Sequence, residues 1–383
     1  MLKKANKKLR RVVITRNAYA WQYGGAEQFA YNLARSLRNE GVESVVVSRV
    51  PELLEHCRRD GIRTFRNLWL KNETHRRWML VYYLLWPVLV GQYVWLALRS
   101  RADLLVLMSR DDQIFGTAAA RLLGLPVVWF DHADMKYIVA RPFRFLSKSY
   151  FEALERADWV VMISDAEREK VAVNLPERYR KRFVMINNGA LKGSGKALER
   201  PAGAKIVAYV GRLERDKGLF DLVEAAPEVV RRVPDAQFWL AGKGSHELEL
   251  KERVKELGLE EHFRWLGHLD NVWDLLLAAD VFVYPTHHDA APLAPVEALL
   301  AGVPVVASRI GGIPEMVPEK CGVLVTPKEP AALAGALSEL LADEKRLAGM
   351  RKAAQAAGPG MEFGTVTREK YLPIFQEVVK EKA

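Results

Sequence analysis

Two short stretches in the second half of the chain gather residue types suited to a phosphorylated sugar. In Gly211-Arg212-Leu213-Glu214-Arg215-Asp216-Lys217-Gly218, a glycine follows the β-rich run 206–210, and two cations stand five residues apart. A helix start is expected at Leu219. The N–H groups and dipole of a helix start favour an anion, and Arg212 and Lys217 can neutralise a diphosphate. Taken alone, the stretch reads equally well as a solvated turn with two surface cations. The second stretch runs from Pro285 to Ala298. It places Asp289 on a small-residue loop after the run 281–284, and Glu297 on a helix expected to begin near Leu293. Carboxylates suit vicinal hydroxyls and the free N–H groups between them suit phosphate. A nucleotide-sugar has hydroxyls at both ends and a diphosphate in the middle.

The elements around these stretches follow from the apolar pattern. In the first half, β-rich runs fall at 12–15, 44–48, 104–108, 127–130, 159–163 and 183–186. In the second they fall at 206–210, 237–241, 263–266, 281–284, 303–307 and 323–325. Helical stretches separate them, such as 26–38 with Phe29, Leu33 and Leu37 on one face, and one long run over 331–357. Strands alternating with helices predict an α/β protein of parallel sheets. The Gly-rich polar segment 191–201 reads as a linker. It divides an N-terminal doubly wound domain, 1–190, from a C-terminal one, 202–365. Residues 366–383, with Tyr371, Ile374, Phe375 and Val378 at helical spacing, are expected to cross back to the N-terminal domain. Ligands of such sheets bind outside the carboxyl ends of the strands, so a central cleft faced by both domains is the expected active site.

With 383 residues, half of them hydrophobic, the chain can bury a core in each domain, which excludes a largely disordered protein. Its two cysteines, Cys57 and Cys321, support neither a disulfide framework nor a cysteine zinc site, so a reducing, cytoplasmic setting is expected. The net charge of +10 is one-sided: residues 1–190 hold 32 Lys and Arg against 19 Asp and Glu, net +13, and the remainder is net −3. No zinc-finger, basic-zipper or RNA-recognition signature accompanies that charge, so no nucleic-acid partner is expected. An anionic acceptor or an anionic membrane surface suits it. The basic start leads only into the short run 12–15, too brief for a secretion signal. Residues 78–98 carry no charge and are long enough to span a bilayer. Pro87, Gly91-Gln92, scattered Trp and Tyr, and the α/β pattern on both sides weigh against a span. A core helix is the first reading, a helix lying on the membrane the second and a true span the third.

The order Gly211-Arg-Leu-x4-Lys217-Gly218, Asp289-x7-Glu297, Ala301-Gly-x-Pro-Val-Val and Gly-Gly-Ile-Pro-Glu315 resembles glycosyltransferase family 4. In the first half the resemblance continues through Tyr23-Gly24-Gly25-Ala26-Glu27, Asp131-His132, Ser164-Asp165-Ala166 and Asn188-Gly189. It implies the GT-B fold, two Rossmann-like domains facing a central cleft, and retaining transfer of a hexose-type sugar from a nucleotide-sugar. The acceptor is expected to be a glycan or lipid-linked molecule, in cell-surface polysaccharide or glycolipid synthesis at the inner face of the membrane. By the same resemblance, Arg212 and Lys217 bind the diphosphate and stabilise the leaving phosphate. Glu297 binds the ribose hydroxyls, the amides of Leu293 and Ala294 face sugar and diphosphate, and His132 approaches the transferred sugar. Gly24 and Gly25 form a loop that closes over the donor phosphate. Asp289 stands where the family usually has Glu for the sugar C3 and C4 hydroxyls. It is one methylene shorter, so either the loop moves in or the contact differs, and His287 or His288 could share it.

No cofactor is implied, the nucleotide-sugar being a substrate, and no metal is expected. Asp111-Asp112 and Asp131-x-x-Asp134 lack the DxD spacing of metal-dependent transfer, and Gly242-Lys243-Gly244 lacks the third glycine of a dinucleotide fingerprint. Two alternatives keep the fold: another GT-B reaction, such as epimerisation or a soluble-acceptor synthase, or a degenerate protein that binds nucleotide-sugar without turnover.

Overall fold

The structure is a computed structural model that describes residues 8–17, 24–67, 78–131, 144–172, 175–180 and 182–382. The chain divides into two compact units, residues 1–186 with 366–383, and residues 187–365.

Unit one is built on a seven-stranded sheet: β1 (Arg11–Arg16), β2 (Glu43–Ser48), β3 (Arg63–Arg66), β4 (Leu104–Leu107), β5 (Val127–Asp131), β6 (Trp159–Met162) and β7 (Phe183–Met185). The order is β3-β2-β1-β4-β5-β6-β7 and every pairing is parallel. Helices cover both faces, so the central strands are near-continuous Val, Ile and Leu. The helices α1 (Gly25–Asn39), α2 (Pro51–Arg59), α3 (Trp78–Ser100) and α4 (Arg110–Leu123) precede β2, β3, β4 and β5 in turn. On α1 the expected face, Phe29, Leu33 and Leu37, is fully buried. Residues 366–383 fold with this unit. The Tyr371 ring lies 5.9 Å from Phe29 and 5.4 Å from Phe130, and Phe375 lies 6.4 Å from Phe130.

Unit two carries six parallel strands: β8 (Lys205–Val210), β9 (Ala236–Ala241), β10 (Phe263–Gly267), β11 (Val281–Tyr284), β12 (Val305–Ser308) and β13 (Gly322–Val325), in the order β10-β9-β8-β11-β12-β13. Both sheets are therefore Rossmann-like. In each, the order runs outward one way and then restarts on the other side, at β1/β4 in unit one and at β8/β11 in unit two. Open α/β sheets bind ligands in the crevice left at such a switch point.

Three features differ from the sequence expectations, and a fourth resolves an alternative. The strand β3 was not anticipated because Arg-Thr-Phe-Arg is a short, half-exposed sheet edge, where polar residues blunt pairing with other chains. The run 331–357 is two helices, Pro330–Ala342 and Glu344–Met361. They break at Asp343, whose side chain accepts from the Arg346 N–H at 2.9 Å and caps the second. The Gly-rich stretch 191–201 runs along unit two, with the Lys196 and Leu198 N–H groups donating to Asp274 at 2.8 and 2.9 Å. Residues 78–98 form most of α3, which packs Val90, Tyr93, Leu96 and Ala97 into the unit-one core. Among the described residues, no helix is long and apolar enough to cross a membrane.

Candidate active site

The β8/β11 switch point is where the two chemistry-bearing stretches meet. After β8 the chain turns through Gly211–Leu213 into a short 3-10 turn, Arg215–Lys217. After β11 it runs Pro285 to Pro292 before the helix Leu293–Leu300. The two loops are fastened together. The Thr286 hydroxyl and the His287 N–H donate to the Asp216 carbonyl at 3.0 and 2.8 Å, and His287 Nε2 lies 2.7 Å from Asp221 Oδ2. Gly218 sits at φ +68°, and a Cβ there would stand 1.8 Å from the Pro285 carbonyl oxygen. Any side chain would push the loops apart. Gly311, at φ +57°, meets the Asp289 carbonyl at the same distance, so the Gly-Gly-Ile-Pro-Glu turn presses against the Asp289 loop from the other side. Glu214 fastens the loop after β9: its carboxylate accepts from the Ser245 hydroxyl at 2.7 Å and N–H at 2.9 Å. These bonds, with His246 3.1 Å away, hold its pKa down at about 2.

The loops bring Lys217 and Asp289 into contact. The Lys217 ammonium donates to Asp289 Oδ2 at 2.7 Å, and the Tyr284 hydroxyl donates to the same oxygen at 2.8 Å. Both bonds fall on Oδ2, leaving Oδ1 without a hydrogen bond among the described residues. The shorter Asp side chain thus reaches the cation directly, and His287 is committed to Asp221 instead. Tyr284 was not anticipated from the sequence. It ends the central strand β11, stacks 6.1 Å from Tyr209 at the end of β8, and its phenol pKa is raised by burial and then by the Asp289 charge. A tyrosine closing a switch-point strand five residues before a site carboxylate is the signal that could have found it. Arg212 is more open, 66% exposed and 3.7 Å from Asp216, with its carbonyl accepting from the Tyr209 hydroxyl.

The helix Leu293–Leu300 presents two donors. Its N-cap is Pro292 and its third residue is Pro295, neither of which has an N–H. Of the four N–H groups a helix start leaves unpaired, only those of Leu293 and Ala294 remain. One turn on, Glu297 has no hydrogen-bond or ion-pair partner among the described residues. Desolvation by burial alone lifts its pKa to about 7. A carboxyl group in that state lacks the donors that would stabilise its charge.

In unit one, Gly24 is the N-cap of α1 and Gly25 its first residue. Gly24 has extended backbone, and a Cβ on Gly25 would meet nothing within 4 Å. Neither glycine is required by the local fold of the described residues, none of which fills the space beside Gly25. The Glu27 carboxylate accepts from the Gly24 N–H at 3.1 Å and pairs with Arg16 at 2.7 Å, which gives this motif residue a structural task. His132 and Tyr23 lie outside the described residues. Among the described residues no group of three His, Cys, Asp or Glu side chains is placed to hold a metal ion.

Residues 194–357 match the family of glycosyl transferases group 1, and residues 23–190 match glycosyltransferase family 4. The chain belongs to glycosyltransferase family 4. Its folds are those of GT-B enzymes. A glycosyltransferase of Rickettsia africae superposes with a TM-score of 0.78 at 16% identity, covering 97% of this chain and 99% of that one. The Anabaena HepE protein in complex with UDP superposes at 0.75 and 20% identity, covering 95% and 99%. In sequence, the chain is 32% identical over 214 residues to a D-inositol 3-phosphate glycosyltransferase of Corynebacterium urealyticum, half of each protein. It is 33% identical over 184 residues to a glycogen synthase of Mycobacterium tuberculosis, 46% of this chain and 44% of that one. It spans about half the length of the curated relatives it matches. Both sheets described above are the Rossmann-like halves of the GT-B fold.

Proposed function

We propose that this family 4 member is a retaining hexosyltransferase that uses a nucleotide-sugar donor and needs no metal. The observation that carries this is the convergence of Lys217, Asp289 and the unpartnered Glu297 on the β8/β11 switch point. Lys217 and Arg212 take the diphosphate together with the Leu293 and Ala294 amides. Asp289 Oδ1 takes hydroxyls of the transferred sugar, and Glu297 gains from the ribose the donors it lacks. Uridine nucleotides are the first candidates, because solved HepE complexes hold UDP and UDP-glucose.

During transfer the bond from the anomeric carbon to the phosphate oxygen breaks. The bond to the acceptor oxygen forms on the same face, and the acceptor proton passes to the leaving phosphate. The protein contributes positioning and a fixed positive field on the diphosphate. The Lys217–Asp289 pair keeps that cation in place before the donor arrives. The acceptor is a glycan or lipid-linked molecule of cell-surface polysaccharide or glycolipid synthesis, reached from the cytoplasmic side, and His132, Gly24 and Gly25 keep the donor-binding roles that the family resemblance implies.

A thermal-shift screen of nucleoside diphosphates and nucleotide-sugars tests the donor. A ligand at 100 times its dissociation constant stabilises by about 2.7 kcal/mol. Donor hydrolysis or transfer that survives EDTA is expected, because Arg212, Lys217 and the helix start supply the charge a metal would otherwise bring. Loss with chelator, restored by Mg²⁺ or Mn²⁺, refutes the metal-free part. No shift with any nucleotide refutes the donor site.

A further inference from the structure

The outer face of α3 carries an exposed apolar stripe. Leu84, Val88, Trp95 and Leu98 are 77%, 59%, 53% and 61% exposed. Their spacings of four, seven and three residues put them on one side of a 3.6-residue helix, while the opposite side is buried in the core. The Trp95 ring is held edge-on by Phe65 at 5.6 Å. Alongside, α4 adds Leu122, 73% exposed. Apolar surface of this extent on a folded domain marks an interaction site.

The charges beside it give the sign of the partner. Both helices pack on the same face of a parallel sheet and run against its strands, so their C-terminal ends share one edge. That edge carries Arg99, Arg101 and Arg121, all exposed and none with an ion-pair partner among the described residues. A second copy docked with its helices parallel to these would bring like charges together. Lipid phosphates would neutralise them. Trp side chains also favour the headgroup zone.

We propose that α3 and the end of α4 form a membrane-docking face. On this proposal α3 lies in the interface of an anionic bilayer, its stripe toward the acyl chains and the three arginines on lipid phosphates. It deepens the inner-membrane reading above and rests on it for the setting, but not on any catalytic residue.

The test uses the full chain. Both native cysteines are buried, so an environment-sensitive dye can be placed on Val88→Cys and, as a control in unit two, on the exposed Leu248→Cys. With vesicles of phosphatidylglycerol and phosphatidylcholine, the dye at position 88 should shift to the blue and the control should not. Phosphatidylcholine alone should give little shift. In flotation, Val88→Gln with Trp95→Gln should weaken vesicle binding by about tenfold or more. Arg99→Ala, Arg101→Ala and Arg121→Ala should each weaken it by about fivefold. Unchanged melting and nucleotide binding show that the variants fold. Flotation without a shift at position 88 overturns the assignment of this face, and absence of flotation overturns docking itself. A shift on concentrating the protein without vesicles assigns the face to a second copy instead. Nucleotide binding in the same samples separates the two proposals: donor binding without flotation sinks only the membrane face, and flotation without donor binding sinks only the donor site.

Discussion

The two sheets have the same strand order around their switch points, yet the described polar side chains there are used in opposite ways. At β8/β11 in unit two, charged groups stand with capacity to spare: an open Asp289 oxygen, an unpaired Glu297, two helix-start amides and an exposed Arg212. At β1/β4 in unit one, the described side chains beyond the strand ends form a buried network. Tyr93 and Asn17 both donate to Asp112 Oδ1, and Asn67 donates to the Tyr93 hydroxyl at 3.2 Å, tying β1, β3, α3 and α4 together. Asp112 is fully buried, and burial raises its pKa to about 6. The topology supplies the crevice twice. The side chains after the strands decide whether it becomes a binding site or a fastening.

The largest expected effect tests the charged crevice. Lys217→Ala should lower turnover on the order of 10²–10³-fold, the usual cost of one preorganised charge-stabilising group, with the melting temperature little changed. Near-wild-type kcat in a rate assay would place the diphosphate elsewhere and erase the contrast between the two crevices.

Next comes Glu297. Ribose hydroxyls stabilise its charged form, so nucleoside diphosphate binding should tighten as pH rises toward about 7 and then level off. Glu297→Gln should bind roughly 10- to 100-fold more weakly above that pH and show a flat profile by calorimetry. Stability runs the other way. The folded pKa is raised, so the native state holds the extra proton and stability is full below about 4.5. It is lost as pH rises through about 7. A parallel pH profile in the Gln variant would show that another group titrates.

Tyr284→Phe removes one of the two donors on Asp289 Oδ2. A several-fold loss in kcat/KM for the nucleotide-sugar is expected, with nucleoside diphosphate affinity unchanged, since one hydrogen bond contributes about 1 kcal/mol. Equal weakening of both ligands would mean that Tyr284 supports the whole loop.

The smallest effect on function is expected from Asp112→Asn in unit one. Nucleotide binding should be unaltered, while melting curves lose their pH dependence around pH 6, where the wild type is destabilised on ionising its buried acid. A change in nucleotide affinity would show that this buried network also supports donor binding.

The sequence by itself determined the two-sheet architecture. Twelve of the thirteen strands among the described residues stand out as β-rich runs, because strands buried on both faces must be continuously apolar. The edge strand β3 has no such constraint and left no such mark. Sequence also marked the two loops that meet at β8/β11, since Gly211 to Gly218 and Pro285 to Glu297 carry their cations, carboxylates and glycines in a fixed order. What only the tertiary structure decided is which groups meet. Lys217 and Asp289 are 72 residues apart in the chain and become partners because β8 and β11 are neighbours in the sheet. Tyr284 joins them because Tyr209, on the adjacent strand, holds its ring. The outward side of α3 was equally hidden. A run apolar all the way round has no periodicity to show which face is covered, and only packing against the sheet and α4 leaves Leu84, Val88, Trp95 and Leu98 outside.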